Sequence, residues 1–231
     1  MMSAPRIALI HATPLAIAPV NGSFQKLWPT AQLQNILDDS LSRDLAETGQ
    51  LTADMVERFI DLAQYAKRAG CQGILFTCSA FGEAIEAAAR VVGIPCLKPN
   101  EAMFEDALQL ALRAKPLDTD DVNIGLVATF AASIESMREE FNALASGQAR
   151  RVNFTGVYVP KAMDALAQGD AQVHHQLVAA AIETMPACDV VMLAQFSMAA
   201  AQTMAQSKTS APILTSPDCA VIALQKRMKH V

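Results

Sequence analysis

Long apolar runs, aromatic side chains and clustered positive charge are all scarce in this chain. No apolar run approaches the ~20 residues that a membrane-spanning helix needs. Aromatic residues make up 5% of the 231 residues, so the core must be aliphatic, built from Ala, Val, Ile, Leu and the 11 Met. The formal net charge is −5 and no Lys/Arg run stands out, which argues against nucleic-acid binding. Hydrophobic residues nevertheless reach 52%, which excludes general disorder and allows one large domain or two small ones.

The five cysteines show no spacing typical of a disulfide framework or a zinc site. Their number is odd, and no CxxC pair or Cys/His cluster occurs. We therefore expect free thiols in a cytoplasmic protein without a metal site. The N-terminal stretch makes a poor signal peptide, because His11 and Thr13 interrupt its short apolar run. Glycine-rich nucleotide loops, Walker motifs and GxSxG elbows are also absent.

Strand-like apolar runs alternate with segments of helical periodicity along the whole chain. The predicted strands are Arg6–His11, Leu33–Leu37, Gly73–Thr77, Ile94–Leu97, Val122–Ala128, Val152–Val159, Val190–Ala194 and Ile213–Leu214. The predicted helices are Thr52–Ala69, Gly82–Val92, Glu101–Ala114, Ser133–Leu144, Ala171–Met185, Met198–Gln206 and Asp218–Lys229. Such alternation indicates an α/β protein with parallel sheets covered by helices on both faces.

An internal repeat divides the sequence into two halves. Three pairs of matching segments, centred on Ile7 and Ile124, Cys78 and Gln195, and Pro95 and Pro212, are each offset by 117 positions. The repeat predicts two similar, doubly wound lobes related by a pseudo-twofold axis, with residues 1–97 plus 207–231 in one lobe and 98–206 in the other. Because parallel sheets bind ligands beyond the carboxyl ends of their strands, we expect an active site in a cleft between the lobes. The alternative is that any two α/β segments give such matches by composition.

Cys78 is the leading candidate for a reactive residue. It follows a predicted strand and precedes a predicted helix, where the helix dipole and free backbone N–H groups favour a thiolate. The same N–H groups could hold a carboxylate or an enolate oxygen. The alternative is a buried, inert cysteine, which is the interpretation we adopt for the other four. Thr13 and Thr129 each follow the first strand of their half, where a hydroxyl can bind substrate oxygens or cap a loop.

The sequence resembles the aspartate/glutamate/hydantoin racemase superfamily, in an uncharacterised branch related to arylmalonate decarboxylase and maleate isomerase. The resemblance is carried by Cys78-Ser79-Ala80, Ala128-Thr129-Phe130 and the run from Leu193 to Met198. It implies two α/β lobes, a small carboxylate substrate in the cleft and no cofactor. Racemases of this family place one cysteine in each half, on either face of the substrate carbon. Here Cys78 fills the first position and Gln195 the second, and an amide is neither a useful acid nor a base.

This pattern predicts a cofactor-independent isomerase or racemase-like enzyme acting on a small carboxylic acid or amino acid. Cys78 is the expected proton carrier, and the expected substrate-binding residues are Thr13, Ser79, Ala80, Thr129, Gln195, Phe196 and Ser197. Two alternatives stay open: a single-cysteine decarboxylase or other lyase of malonate-type acids, and a catalytically silent carboxylate-binding protein. The expected partner is a small carboxylate metabolite, with no nucleic acid and no membrane. Base rates favour a homo-oligomer, but no sequence feature fixes its size.

Overall fold

The computed structural model describes residues 4–115 and 121–229. Within these ranges the chain forms eight strands, and every observed strand pair is parallel. The strands are β1 (Arg6–His11), β2 (Gln32–Leu37), β3 (Gly73–Phe76), β4 (Cys96–Leu97), β5 (Val122–Ala128), β6 (Val152–Tyr158), β7 (Val190–Leu193) and β8 (Ile213–Thr215). All eight lie within a residue or two of the predicted runs, because buried parallel strands appear in the sequence as continuous apolar segments.

The strands alternate with α-helices and short 3₁₀ turns. The α-helices in the described residues are α1 (Ile17–Leu27), α2 (Leu41–Thr48), α3 (Ala53–Arg68), α4 (Gly82–Val92), α5 (Glu101–Ala114), α6 (Ala132–Ala145), α7 (Ala162–Ala167), α8 (Ala171–Thr184), α9 (Gln202–Gln206) and α10 (Ser216–Lys229). The 3₁₀ turns are Pro14–Ala16, Ser79–Phe81 and Phe196–Ala201. Two of these turns directly follow Cys78 and Gln195 and lead into α4 and α9, respectively.

Both sheets have the same topology. The strand order is β2-β1-β3-β4 in the first sheet and β6-β5-β7-β8 in the second. Their registers also agree: Ile10 pairs with Phe76, and the residues 117 positions later, Val127 and Leu193, pair with each other. A chance likeness between apolar strands would not preserve both order and register, so the predicted repeat and the α/β fold class are confirmed.

The chain divides into two compact units. The first comprises Met1–Glu101 and Ala220–Val231, and the second comprises Ala102–Cys219. These boundaries differ from those expected from the sequence, which placed 207–231 with the first lobe and began the second at 98. The physical reason is β8, which pairs with β7 and keeps the segment before α10 in the second unit.

The first unit buries a core between its sheet, α3 and α4. Phe59 of α3 packs its ring 5.8 Å from that of Phe76 and 4.9 Å from that of Phe81. Each such fully buried phenylalanine contributes roughly 1.5–3 kcal/mol from surface removed from water. Because Phe76 and Phe81 lie on either side of Cys78 in the chain, this aromatic packing holds the segment that carries the thiol.

The second unit has its own core, formed by one face of its sheet and the helices after β6 and β7. Val191 and Leu193 of β7 pack with Val178 and Ile182 of α8 and with Met198. All four residues of β7 are buried, as expected for a central strand covered on both faces. The segment after β7, which begins at Ala194, therefore starts from a rigid strand end.

Three helices have no counterpart in the sequence prediction: α1, α2 and α7. The reason is clearest for α1, whose interior contains Pro19 and Gly22, both poor helix formers. Val20 and Phe24 of this helix are almost fully buried. Tertiary packing of an apolar face therefore forms this helix despite its low intrinsic propensity.

Candidate active site

Cys78 lies immediately beyond the carboxyl end of β3. Its backbone is extended, with φ −128° and ψ 112°, and its side chain is partly exposed. The sulfur accepts a hydrogen bond from the backbone N–H of Ala80. The other four cysteines lie elsewhere: before β3, within β4, before β7 and in α10. Cys78 is thus the only cysteine that follows a strand end, as the sequence predicted.

Cys78 precedes a 3₁₀ turn and not the first turn of an α-helix. Only the three-residue 3₁₀ turn Ser79–Phe81 follows directly, and α4 does not begin until Gly82. Burial raises the pKa of the Cys78 thiol, and the hydrogen bond from the Ala80 N–H offsets this effect only in part. The group is therefore a thiol at neutral pH, suited to donating a proton before it can accept one.

A buried hydrogen-bonded chain lies beside the thiol, in the same unit. The His11 side chain, at the end of β1, has its Nδ1 2.9 Å from Thr77 Oγ1 and its Nε2 2.9 Å from Asn35 Oδ1. Both ring nitrogens of His11 are therefore within hydrogen-bond distance of a partner, and the Thr77 hydroxyl also donates to the Ile10 carbonyl oxygen at 3.3 Å. Burial lowers the pKa of His11, and the hydrogen bond with Asn35 raises it in part. The His11 ring therefore fixes Thr77, the residue directly before Cys78.

The other first-unit candidates surround the same strand ends. Ser79 is half-buried and Ala80 is exposed, both in the turn after Cys78. Thr13 accepts a weak hydrogen bond, 3.4 Å long, from the N–H of Leu15 and so caps the 3₁₀ turn after β1. This capping role is the alternative that the sequence left open for Thr13. Its hydroxyl can still donate to a ligand, because capping uses it only as an acceptor.

Arg58 pairs with two carboxylates in an ion-pair cluster near this edge. Arg58 of α3 contacts Asp38 at 2.5 Å and Asp44 at 2.7 Å. Burial would raise the pKa of Asp38, but hydrogen bonds from Arg58 and Ser40 hold it below its usual value. The Asp38 carboxylate also accepts the Ser40 N–H at the start of α2. Arg58 thus secures the β2–α2 turn rather than providing a free cation.

In the second unit, Thr129 and Gln195 form one hydrogen-bonded group at the carboxyl ends of β5 and β7. The Gln195 side-chain oxygen accepts the Thr129 N–H at 2.9 Å and the Thr129 hydroxyl at 3.2 Å. Its amide nitrogen donates to Ser133 Oγ at 3.0 Å. The structure therefore brings together two residues that the sequence assigned to the site and adds Ser133, which the sequence analysis did not assign.

The orientation of the Gln195 amide follows from its partners. A backbone N–H can only donate, so the atom facing Thr129 must be the carbonyl oxygen. The amide nitrogen then faces Ser133 and has a second N–H, for which the described residues provide no hydrogen-bond acceptor. A fixed N–H donor can bind a substrate carboxylate, but an amide cannot exchange a proton with carbon.

The two residues after Gln195 have different environments. Phe196 is 4% exposed and packs inside the second unit, so only its backbone is available to a ligand. Ser197 is half-buried in the same 3₁₀ turn. Thr129 is itself 3% exposed, which limits access to its hydroxyl. Of the second-unit candidates, Gln195 and Ser197 have the more accessible polar side chains.

The described residues hold no cluster of three His, Cys, Asp or Glu side chains arranged to bind a metal ion. No helix in residues 4–115 or 121–229 is long and apolar enough to cross a membrane. All five cysteines are free.

The sequence model of the Asp/Glu/Hydantoin racemase family matches residues 25–224, which include Cys78, Thr129 and Gln195. The chain belongs to this family. A comparison with curated proteins gives no match in sequence.

Solved racemase structures share the fold of this family member. Glutamate racemase RacE1 from Bacillus anthracis is 14% identical, with a TM-score of 0.71, and the match covers 99% of this chain and 83% of that one. Picrophilus torridus aspartate racemase is 13% identical, with a TM-score of 0.71 and coverage of 97% and 94%. Allantoin racemase from Klebsiella pneumoniae is 14% identical, with a TM-score of 0.68 and coverage of 98% and 88%. At these identities the likeness shows the fold, and family membership supports a racemase-type enzyme.

Two features of this racemase-family site were missed by sequence reasoning. The contacts of His11 with Thr77 and Asn35 span 66 and 24 residues, and no local pattern reveals them. Ser133 lies in α6 and meets Gln195 across 62 residues. A signal for His11 was present, because a polar residue at the end of an otherwise apolar strand needs partners when it is buried.

Proposed function

We propose that this protein is a cofactor-independent, racemase-type enzyme that moves the proton on the carbon next to the carboxylate of a small organic or amino acid. Cys78 carries that proton. The observation that supports this role best is the position of Cys78, the one cysteine beyond a strand end, in a chain of the racemase family. The partner we propose is accordingly a small carboxylate metabolite.

The proposed reaction needs only an acid–base group and stabilisation of negative charge. The Cys78 thiolate takes the α-proton, and the C–H electron pair moves into the carboxylate as an enediolate. The resulting thiol exchanges its proton with solvent and then protonates that carbon, which regenerates the thiolate. A positioned acid–base group contributes about 10²–10⁴-fold, and donors aimed at the developing charge contribute more. The raised pKa of Cys78 makes its thiolate scarce at neutral pH but a stronger base when formed.

We propose that the remaining candidates hold the substrate. The free N–H of Gln195 and the hydroxyl of Ser197 would donate to carboxylate oxygens from the second unit. In the first unit, the proposed hydrogen bonds to the carboxylate come from Ser79, Thr13 and the backbone of Ala80. In the second unit, Thr129 would hold the Gln195 side chain, and Phe196 would position the backbone beside Gln195. Because Gln195 cannot return a proton to carbon, this arrangement favours exchange at one face of the substrate.

The test is α-deuterium incorporation in D₂O, followed by NMR over a panel of small carboxylic and amino acids. Wild-type protein should deuterate at least one member, and Cys78→Ala should lose this activity by at least 100-fold. Cys188→Ala is the matched control, since Cys188 is a partly exposed thiol that precedes β7 instead of following a strand. Full exchange by Cys78→Ala would overturn the role of this thiol.

A lyase acting on malonate-type acids is the second candidate, and the amide at Gln195 favours it. Decarboxylation generates the enediolate by loss of CO₂, so only one acid is needed to protonate it. The protonated state of Cys78 at neutral pH fits that acid role. CO₂ release from malonate-type acids would support the lyase, whereas α-deuteration of monocarboxylic acids without CO₂ release would exclude it.

A further inference from the structure

The strand-end positions of His11 and Thr77 occur twice in this chain, once in each repeat. The residues 117 positions after His11 and Thr77 are Ala128 and Ala194. All four are buried. Thr77 and Ala194 each donate their backbone N–H to the first strand of their own sheet, at 3.1 and 2.9 Å respectively. The two units therefore share this backbone arrangement, but the first unit buries two polar side chains where the second buries methyl groups.

The third member of the polar chain, Asn35, also has no polar counterpart in the second unit. Asn35 of β2 and Gly156 of β6 hold equivalent register positions, because each pairs with the residue two positions before the end of the neighbouring strand. Glycine has no side chain that could contact a ring, whereas Asn35 Oδ1 lies 2.9 Å from His11 Nε2. At these three positions, the polar residues are therefore confined to the unit that carries Cys78.

The fold does not require these polar groups. The second sheet has the same strand order and register with Ala128, Gly156 and Ala194 in their place. Burying a polar side chain costs free energy unless its hydrogen bonds are made, so His and Thr impose a requirement here that Ala does not. The same carboxyl edges differ in one more respect, since the first unit has the thiol of Cys78 where the second has the amide of Gln195.

Thr77 connects the polar chain to the segment that carries the thiol. It directly precedes Cys78, and its hydroxyl lies 2.9 Å from His11 Nδ1 and 3.3 Å from the Ile10 carbonyl oxygen. The contact of the other ring nitrogen with Asn35 fixes the orientation of the ring. The last residue before Cys78 is thus held by its side chain as well as by its backbone N–H.

We propose that His11 is a positioning residue, which acts through Thr77 to hold the Cys78 sulfur in the geometry for proton transfer. This inference rests on the proposed function. Phe76 and Cys78 both pack in the core with α3 and α4, and in an extended segment the side chain between them points the opposite way. His11 therefore acts through the backbone and does not carry the proton itself. A displacement of about 1 Å at a reacting atom costs about 10²-fold in rate.

The first test needs no substrate and measures iodoacetamide labelling of Cys78 by mass spectrometry. Thr77→Val removes the hydroxyl with little change of shape, so the turn after β3 loosens and the partly exposed sulfur should be labelled at least fivefold faster than in wild type. Thr77→Ser keeps a hydroxyl and should stay within twofold of wild type. Cys71, a buried thiol of the same unit, reports unfolding, and its labelling should not change.

A second pair of variants tests the outer contact of the His11 ring. Asn35→Ala removes this contact from an exposed position on an edge strand, and should accelerate labelling of Cys78 at least twofold. Asn153→Ala is the matched control, because Asn153 lies on the edge strand of the other sheet and donates its amide N–H groups to Asp121 and Asn123. This control should leave the labelling rate unchanged.

The second test measures α-deuteration of an acid that wild type accepts. Thr77→Val should lower kcat at least tenfold and leave KM within twofold, because the sulfur moves while the groups that bind the carboxylate stay in place. Thr77→Ser should recover kcat to within threefold of wild type. A role limited to stability would change neither kcat of the folded protein nor its recovery by serine.

The two readouts separate this inference from the proposed function. Unchanged kcat and unchanged Cys78 labelling in Thr77→Val would overturn the inference and leave the proposed function intact. Faster Cys78 labelling in this variant, with no deuteration of any acid by wild type, would support the positioning of Cys78 and overturn the proposed function. Equal acceleration at Cys71 and Cys78 in both Thr77→Val and Asn35→Ala would mean that the polar chain only stabilises the unit, which overturns the inference.

Discussion

Individual residues decide what chemistry this fold can perform. Cys78 and Gln195 occupy the same position in the two repeats, yet one can carry a proton and the other cannot. The Gln195 amide is held by the backbone N–H of Thr129 and by Ser133, so its second N–H is positioned as a hydrogen-bond donor. Burial keeps Cys78 protonated at neutral pH. The two equivalent positions therefore carry an acid in the first unit and a positioned hydrogen-bond donor in the second.

The first residue-scale prediction concerns the reactivity of Cys78. Since its pKa is raised, its thiolate forms only at high pH, and the rate of iodoacetamide alkylation should rise with pH to a midpoint above the ordinary thiol value of about 8.5. Mass spectrometry of the labelled peptide gives the rate, and Cys78→Ser provides the blank. A midpoint below 7 would mean that the site stabilises the thiolate, contrary to this account.

The second residue-scale prediction concerns His174 of α8. The ring is fully buried, and neither nitrogen has a hydrogen-bond partner among the described residues. Leucine has a similar volume without the unsatisfied polar atoms, so His174→Leu should raise the free energy of unfolding at pH 7.5 by about 1–2 kcal/mol. Urea denaturation measures this, with His175→Leu as the neighbouring control.

The effect of His174→Leu should grow as the pH falls. Burial lowers the pKa of His174, with the neighbouring His175 adding to the effect, so the unfolded chain takes up a proton below about pH 6.5 before the folded protein does. Wild-type stability then falls with pH by an amount that the leucine variant avoids. The prediction is wrong if the difference in unfolding free energy between His174→Leu and wild type becomes smaller from pH 7.5 to pH 5.5.

At the scale of elements, strands were more predictable than helices. Continuous apolar runs such as Val122–Ala128 have one simple explanation, a buried parallel strand, and the structure confirms it. Helix α1 was missed because its residues have poor helix propensity and are held by tertiary contacts of Val20 and Phe24. Helix α4 begins at Gly82 as predicted, after the 3₁₀ turn Ser79–Phe81, whereas the helix predicted from Met198 starts as a 3₁₀ turn and becomes α-helical at Gln202.

Two glycines provide an element-scale prediction. A Cβ on Gly156 of β6 would overlap Ile134 Cγ2 of α6, so Gly156→Ala should lower the free energy of unfolding by about 1–3 kcal/mol. A Cβ on Gly22, inside α1, would meet no atom within 4 Å apart from its chain neighbours and the backbone of its own helix. Gly22→Ala should therefore stabilise the protein by up to about 1 kcal/mol through helix propensity. Thermal and urea unfolding measure the change in the free energy of unfolding for both variants, which should have opposite signs. Changes of the same sign would contradict the packing described.

At the scale of the whole molecule, duplication is the feature that the sequence revealed best. The offset of 117 positions recurs in strand order and in register, from Ile10–Phe76 to Val127–Leu193. Duplication predicted that Cys78, Thr129 and Gln195 follow the carboxyl ends of strands, and the structure confirms those positions. It could not predict side-chain partners such as Ser133 or His11, because those contacts join residues far apart in sequence.

The whole chain has the fold of a racemase but carries a cysteine at only one of the two equivalent strand ends, Cys78, with Gln195 at the other. The most direct test compares α-deuteration with loss of optical purity for one substrate in D₂O. Wild type should incorporate deuterium at least tenfold faster than it inverts the configuration of the substrate's α-carbon. Gln195→Cys, which restores a thiol at the equivalent position, should bring the two rates closer together. Equal rates in wild type, unchanged by Gln195→Cys, would contradict the account.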